Sequence, residues 1–285
     1  MGKTIAVMGG DQRQIALAKF LREDGWDTVT WGLEKGDANH SVPLDRALSS
    51  DILILPLPVC RGAELNLPLT DTKLTASDLW RRLSADHILL GGAVGALEKD
   101  LKENYGLEIW DYYNREDVQI ANAIPTAEGA IMRMMEETDQ TVQDSRCLVI
   151  GYGRIGKALA HRLQALGAVV TVAARKTSDL AWIRACGSRA VLLADRKEKL
   201  GEYDVIFNTV PALVLDESDL SLIKPNCLLV ELASMPGGFD IDAVKQKDLR
   251  AIEERGLPGK VAPVSAARAI RDGIYRIFEE RGVEV

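Results

Sequence analysis

The chain has 285 residues, 47% of them hydrophobic and 27% charged, with a formal net charge of −7. That length suggests about two domains with ample material for buried cores, in the composition range of an ordinary globular protein. The negative balance argues against a nucleic-acid or anionic-membrane surface, and no apolar run approaches the roughly 20 residues of a membrane span. The opening residues 1–9 are too short and too glycine-interrupted for a signal peptide, so a cytoplasmic protein is expected. Cys60, Cys147, Cys186 and Cys227 form no C-x-x-C pair, and Cys147 and Cys227 fall in apolar runs that predict buried thiols. His40, His87 and His161 are not spaced with acids or thiols as metal ligands, and no metal site is expected.

In chain order, residues 3–10 read as a strand running into glycines. A helix through Phe20 and Leu21, then Gly25, then a strand over residues 28–31 follow. Further strands are predicted at 51–56, 87–90 and 107–110, the first ended by Pro56 and Pro58 and the second by Gly91 and Gly92. Residues 66–77 form a polar, turn-rich excursion. Ile124-Pro125-Thr126-Ala127-Glu128-Gly129 opens a helix with Ile131, Met134 and Met135 on one stripe, which bridges to the second half. The five tryptophans have no ligand-cage spacing and read as core or interface residues.

The second half repeats the opening. Residues 147–150 are a short apolar run, followed by Gly151-Tyr152-Gly153-Arg154-Ile155-Gly156, a helix over 157–163, Gly167 and a strand over 169–173. Gly9 to Gly25 and Gly151 to Gly167 both span 16 positions, so the same strand–helix–strand opening occurs twice. Later strands are predicted at 191–193, 204–208, 227–232 and 250–253, and a last helix over 265–280 carries Ala269, Ile270, Ile274 and Ile277 on one face. The fold expected is α/β with two doubly wound Rossmann-like domains: a substrate domain at 1–124, and a dinucleotide-binding domain with its bridging helix at 125–264. The terminal helix, about 265–285, is expected to pack back on the first domain.

A glycine-rich turn between strand and helix is how a Rossmann unit holds a dinucleotide. Gly151 allows the tight turn, Gly153 lets backbone approach the pyrophosphate, and Gly156 packs helix against strand. Tyr152, Arg154 and Ile155 complete the turn, and the phosphates sit on N–H groups at the helix N-terminus. In the first copy Asp11 stands at the Gly153 position and Gln14 at the Gly156 position. A carboxylate there repels pyrophosphate, so the first domain is not expected to hold the dinucleotide.

The strand end that reads the ribose carries Arg175 and Lys176, with Thr177 and Ser178, and lacks the acid of an NAD site. NADP is therefore expected; the bland alternative is a basic surface turn. Asn208-Thr209-Val210-Pro211 ends the fourth strand on the nicotinamide side, and Ala233-Ser234-Met235-Pro236-Gly237-Gly238 ends the fifth. Candidate substrate contacts are Arg13, Arg115, Asn122, Thr126 and Ser234; candidate acid/base groups are Asp11, Glu128 and Ser234. The ordinary alternatives are solvated arginines, a helix N-cap at Asp11 and a first-turn charge at Glu128. The substrate is expected between the two domains, with residues 10–13 facing it from one side and the turns at Asn208 and Ser234 from the other.

Five segments together carry a resemblance. They are Gly9-Gly10-Asp11-Gln12-Arg13-Gln14, Ile124-Pro125-Thr126-Ala127-Glu128-Gly129, Asn208-Thr209-Val210-Pro211, Leu232-Ala233-Ser234-Met235-Pro236-Gly237-Gly238 and Gly256-Leu257-Pro258-Gly259. In this order they resemble the A-subunit family of dipicolinate synthase over nearly the whole chain. The resemblance implies an N-terminal domain, a C-terminal NADP-binding domain, and action with a flavoprotein-like B subunit. It implies that dihydrodipicolinate, from the lysine pathway, loses a hydride to NADP⁺ and a proton to a base or water. The product, pyridine-2,6-dicarboxylate, accumulates in bacterial spores, so the implied setting is the mother-cell cytoplasm of a spore former. A dicarboxylate substrate suits Arg13 and helix N-terminal N–H groups. The resemblance assigns no catalytic base, and it leaves self-association open.

Three rivals stand beside it. A D-2-hydroxyacid dehydrogenase shares the two-domain plan but needs a late catalytic histidine, and none follows His161. A shikimate-type dehydrogenase shares an Asn-Thr-x-Pro-like strand end but lacks its Lys/Asp pair here. The non-enzyme rival is a nucleotide-binding regulatory subunit whose partner does the chemistry.

Overall fold

The first strand is buried on both faces: Ile5 and Val7 enter one core, Ala6 and Met8 the other. Such a strand belongs inside a parallel sheet covered on both sides. The computed structural model describes residues 2–283, and the chain divides into two units. Unit 1 comprises Met1–Asn122 and Pro258–Val285; unit 2 is Ala123–Leu257.

Unit 1 contains β1 (Thr4–Met8), β2 (Asp27–Trp31), β3 (Ile52–Ile54), the two-residue strands β4 (Cys60–Arg61) and β5 (Glu64–Leu65), β6 (Ile88–Gly91) and β7 (Ile109–Asp111). The main sheet is parallel with order β2-β1-β3-β6-β7, and β4 and β5 form a small antiparallel pair. On one face Leu17 and Leu21 of the Gln12–Glu23 helix meet Ile270, Ile274 and Phe278 of the Pro263–Arg281 helix. Each such buried side chain contributes about 1.5–3 kcal/mol. Trp26 packs its ring against Phe278 at 5.8 Å, and the Tyr275 hydroxyl donates to Asp24 at 2.7 Å, so the terminal helix is fastened inside this unit. The last two residues of the helix expected over 265–285 lie outside the described residues. On the other face Trp31, Leu79 and Trp80 close a second core.

Unit 2 contains β8 (Arg146–Ile150), β9 (Val169–Ala174), β10 (Arg189–Leu192), β11 (Val205–Asn208), β12 (Leu228–Glu231) and β13 (Arg250–Glu253). They form one parallel sheet in the order β10-β9-β8-β11-β12-β13, the doubly wound order of a dinucleotide-binding domain. The chain leaves β8 toward one edge and returns to β11 on the other side. The crevice above the C-terminal ends of β8 and β11 is therefore the topological switch point, where such sheets bind ligands.

Two expectations need correction. The helix expected to open at residue 124 begins at Glu116 and runs to Glu137, with Pro125 in its interior. Glu116 and Asp117 favour that start because acids suit the positive end of a helix. Proline there removes one backbone donor, which tertiary packing offsets. Met135 is 59% exposed, whereas Ala127, Ile131 and Met134 are buried. One residue advances about 100° around a helix, which takes Met135 off the buried stripe set by Met134.

Trp26, Trp31 and Trp80 are buried, but Trp182 is 66% exposed. Cys147 in β8 and Cys227 just before β12 are buried, and burial pushes both thiols up to about 12. Among the described residues, no group of histidines, thiols and carboxylates is arranged to hold a metal. Among them too, no helix is long and apolar enough to cross a membrane.

Candidate functional site

The β8 strand ends in a turn whose shape is forced by contact. Gly151 has φ +103°, and a Cβ there would collide with the Thr209 hydroxyl. A Cβ on Gly156 would collide with the Gly151 carbonyl oxygen, so the helix is packed directly on the turn. At Gly153 a Cβ would meet nothing within 4 Å, so this glycine opens to free space. Gly153 is also the N-cap of the Arg154–Ala165 helix and contributes no side chain to cap it. The first helical bond is Lys157 N–H to the Gly153 carbonyl at 2.9 Å. The positive end of the helix thus faces an open turn, which fits the pyrophosphate of a dinucleotide. Tyr152 lies beside this turn with the Lys157 ammonium 5.4 Å from its ring centre.

The ends of the neighbouring strands are tied to that turn. Thr209 follows β11, and its hydroxyl and amide both donate to the Ile150 carbonyl, at 2.8 and 2.9 Å. Asn208 is fully buried; its Nδ2 donates to the Val210 carbonyl at 2.9 Å, and its Oδ1 accepts from the Val210 amide at 3.0 Å. The same Nδ2 donates to Glu231 at 2.7 Å. Ser234 and Pro211 are exposed on the turns that follow β12 and β11. Arg175 and Lys176 are exposed just past β9, Lys176 being the N-cap of the Thr177–Ala185 helix. The expected cofactor residues therefore share one edge of the unit 2 sheet. Sequence reasoning missed Glu231, whose signal was an acid at the end of an otherwise apolar strand run.

Unit 1 opens with the same strand–helix–strand arrangement, in a sheet with one strand rather than two on the far side of its first strand, and carries a different turn. Asp11 caps the Gln12–Glu23 helix, accepting from the Arg13 amide at 3.0 Å, while Gln14 Oε1 accepts from the Asp11 amide at 3.1 Å. The Gln14 side chain fills the space in front of Gly10, and Leu67 fills the space in front of Gly9 and Gly32. The Gly10 amide, which in a phosphate turn points at the ligand, donates to the Asn66 carbonyl at 2.8 Å. The Lys35 amide donates to the Leu69 carbonyl at 3.0 Å. Glu34, just past β2, accepts from the Gly32 amide at 3.0 Å and Ser41 at 2.9 Å, and also bonds Thr70. The segment 66–70 thus occupies the groove that the corresponding turn of unit 2 leaves open.

Arg13 is only 6% exposed, and two of its three guanidinium nitrogens are engaged within unit 1. Nε and Nη2 bond Asp11 at 2.9 and 2.8 Å, and Nη2 also donates to the Leu57 carbonyl at 2.7 Å. Arg13 is thus anchored by partners of its own unit. Its charge is balanced by Asp11. Arg115 holds Glu280 at 2.8 Å and Asp117 at 3.3 Å, a tie to the terminal helix rather than to Arg13. The Asn122 amide donates to the Tyr113 hydroxyl at 3.0 Å. In unit 2, Thr126 is buried, and Glu128 is paired with Arg162 at 3.1 Å.

Arg13→Ala is expected to lower the free energy of unfolding by about 2 kcal/mol, the scale for stranding the partners of a charged hydrogen-bonding group. Denaturant titration measures it, with dinucleotide affinity unchanged. An unaltered midpoint would show that the Asp11–Arg13–Leu57 tie is not structural.

Residues 4–113 match the family of N-terminal domains of the dipicolinate synthase A subunit. Residues 118–235 match the NAD-binding domain of D-isomer specific 2-hydroxyacid dehydrogenases. Unit 2 is thus a dehydrogenase-type domain for a nicotinamide dinucleotide. The chain is 30% identical to the dipicolinate synthase A subunit of Bacillus subtilis (strain 168), covering 98% of this chain and 97% of that one. The crystal structure of that Bacillus subtilis protein superposes with a TM-score of 0.86 over 100% of this chain and 98% of that one, at 30% identity. The crystal structure of the Bacillus halodurans A subunit gives 0.88 at 27% identity, over 97% of this chain and 98% of that one. With both sheets, the open glycine turn and this full-length likeness in agreement, the chain belongs to the A-subunit family of dipicolinate synthase.

Proposed function

We propose that this chain is the A subunit of a dipicolinate synthase that oxidises dihydrodipicolinate to pyridine-2,6-dicarboxylate with NADP⁺, in the mother-cell cytoplasm of a spore former. The observation that carries the proposal is the open turn at Gly153, at the head of a helix without a side-chain cap, in a chain of this family. The dinucleotide, when bound, supplies the acceptor for a hydride. The substrate loses that hydride and a proton and becomes aromatic, which drives the reaction forward. The chain's own work is then alignment, held by the tied strand ends at Asn208, Thr209 and Glu231. Ser234, exposed on the turn after β12, is proposed to meet the substrate from unit 2. Arg13 is proposed to shape the unit 1 turn.

Membership of a family of A subunits supports a second chain in the working assembly, proposed to be the flavoprotein-like B subunit. One observation favours a regulatory variant of the reading, in which that partner does the chemistry. Asp11 and Glu128, two of the three acid/base candidates, are each paired inside their own unit.

The test is oxidation of dihydrodipicolinate by the purified chain, with and without the B subunit, followed by NADPH absorbance. Turnover by the chain alone supports the enzyme. Turnover only with the B subunit, undiminished by substitutions in the Gly151–Gly156 turn, would favour the regulatory variant. No turnover under either condition would contradict both.

Arg175, exposed past β9, supports the choice of NADP over NAD. Arg175→Ala is expected to weaken NADP⁺ binding about tenfold or more, the scale of one lost charged hydrogen bond, with little effect on NAD⁺. Calorimetric titration with both cofactors measures it. Equal losses would remove Arg175 as the reader of the 2′-phosphate.

A further inference from the structure

Glu231 is 2% exposed, at the end of β12. Its Oε1 accepts from Asn208 Nδ2 at 2.7 Å and from the Ala233 amide at 2.9 Å; its Oε2 accepts from the Gly238 amide at 2.7 Å. All three donors are uncharged N–H groups. Burying an acid on such partners is costly, and a strand end of this kind is ordinarily stabilised more cheaply by an apolar side chain. What the acid adds is geometry. It joins the turn after β11 to the turn after β12, at register partners Asn208 and Glu231.

We infer that Glu231 is a positioning residue for the dinucleotide site, acting through Asn208, and that it serves as a pure acceptor. The inference rests on the reading of unit 2 as the cofactor domain. Glu231 fixes the Asn208 amide, and Asn208 holds both the amide and the carbonyl of Val210. A Cβ on Gly238 would collide with Asn208 Nδ2, so the two turns are packed without slack. Gly238 in turn accepts from the Val214 and Leu215 amides at 2.8 and 2.9 Å, which extends the hold along the segment past Pro211. Thr209, next to Asn208, is bonded to the Ile150 carbonyl and presses against Gly151. Moving Asn208 therefore moves Thr209 against the turn that carries Gly153.

A carboxylate here differs from its isosteric amide in carrying no donor. In Glu231→Gln the side chain keeps its shape but gains an NH₂. Whichever way the amide is turned, that NH₂ faces an N–H donor: Asn208 and Ala233 on one side, Gly238 on the other. A buried donor–donor pair expels one partner. Glu231→Asp keeps two acceptors on a shorter arm and retains part of the network.

The experiment uses the full chain at a temperature where each variant is folded by circular dichroism. It measures NADP⁺ affinity by calorimetry and amide exchange at Ala233 and Gly238. Glu231→Gln is expected to bind about tenfold more weakly or worse and to exchange those amides faster, with Glu231→Asp in between. A merely structural role predicts lower stability and unchanged affinity, and unchanged affinity in folded Glu231→Gln overturns the inference. If Glu231→Gln does not fold, unchanged affinity in Glu231→Asp overturns it instead. A wild-type chain that binds neither NADP⁺ nor NAD⁺ contradicts the reading of unit 2 itself; a binding wild type with unaffected variants contradicts only the role of Glu231.

Discussion

The contact between Gly156 and the Gly151 carbonyl is the constraint on which the cofactor domain depends. With no side chain at residue 156, the Arg154–Ala165 helix packs directly on the end of β8. That packing aims the positive end of the helix into the turn, and the absence of a side chain at Gly153 leaves the space in front of it open. Thr209, Asn208 and Glu231 then hold the neighbouring strand ends in register with the turn. Each link is local chemistry, and the last lies far along the chain from the first.

Unit 1 uses the same strand–helix–strand opening in the opposite way. Its helix is capped by Asp11 and Gln14, its turn amide is spent on Asn66, and Leu67 and Gln14 take up the remaining space. A capping box is a stability device, worth about 1 kcal/mol for the cap alone. It satisfies the very N–H groups that a phosphate would otherwise use. One doubly wound unit therefore leaves its helix end open, while the other uses it to fasten its own chain. The full-length likeness to dipicolinate synthase A subunits extends over both solutions.

Much of this was legible in the sequence because it depends on short-range pattern. The apolar runs that became β1, β8, β11 and β12 and the glycine spacing at Gly151, Gly153 and Gly156 needed no tertiary information. The basic pair at Arg175 and Lys176 was equally visible. Other features depended on partners remote in sequence. Arg13 is paired with Asp11 two residues away, but the Leu57 carbonyl that completes its anchoring lies 44 residues away. Glu34 and Thr70 showed no link until the segment between Asn66 and Thr70 folded over β2. Pro125 read as a helix start because proline belongs in first turns, yet the acids at Glu116 and Asp117 had already begun that helix. Glu231 was hidden by its own strand: an acid at the end of an apolar run looks like the point where burial stops, whereas here it is buried and bonded three times.

The central claim is that the chain holds one dinucleotide, at the Gly151–Gly156 turn of unit 2. Calorimetric titration of NADP⁺ into the wild-type chain and into Gly153→Asp tests it most directly. A carboxylate at residue 153 would stand where the pyrophosphate approaches, while the open space there leaves the fold undisturbed. The account predicts a stoichiometry of about one per chain for the wild type and no measurable binding for a folded Gly153→Asp, since phosphate recognition rests on that turn. Two equivalents per chain, or affinity retained in Gly153→Asp, would contradict it.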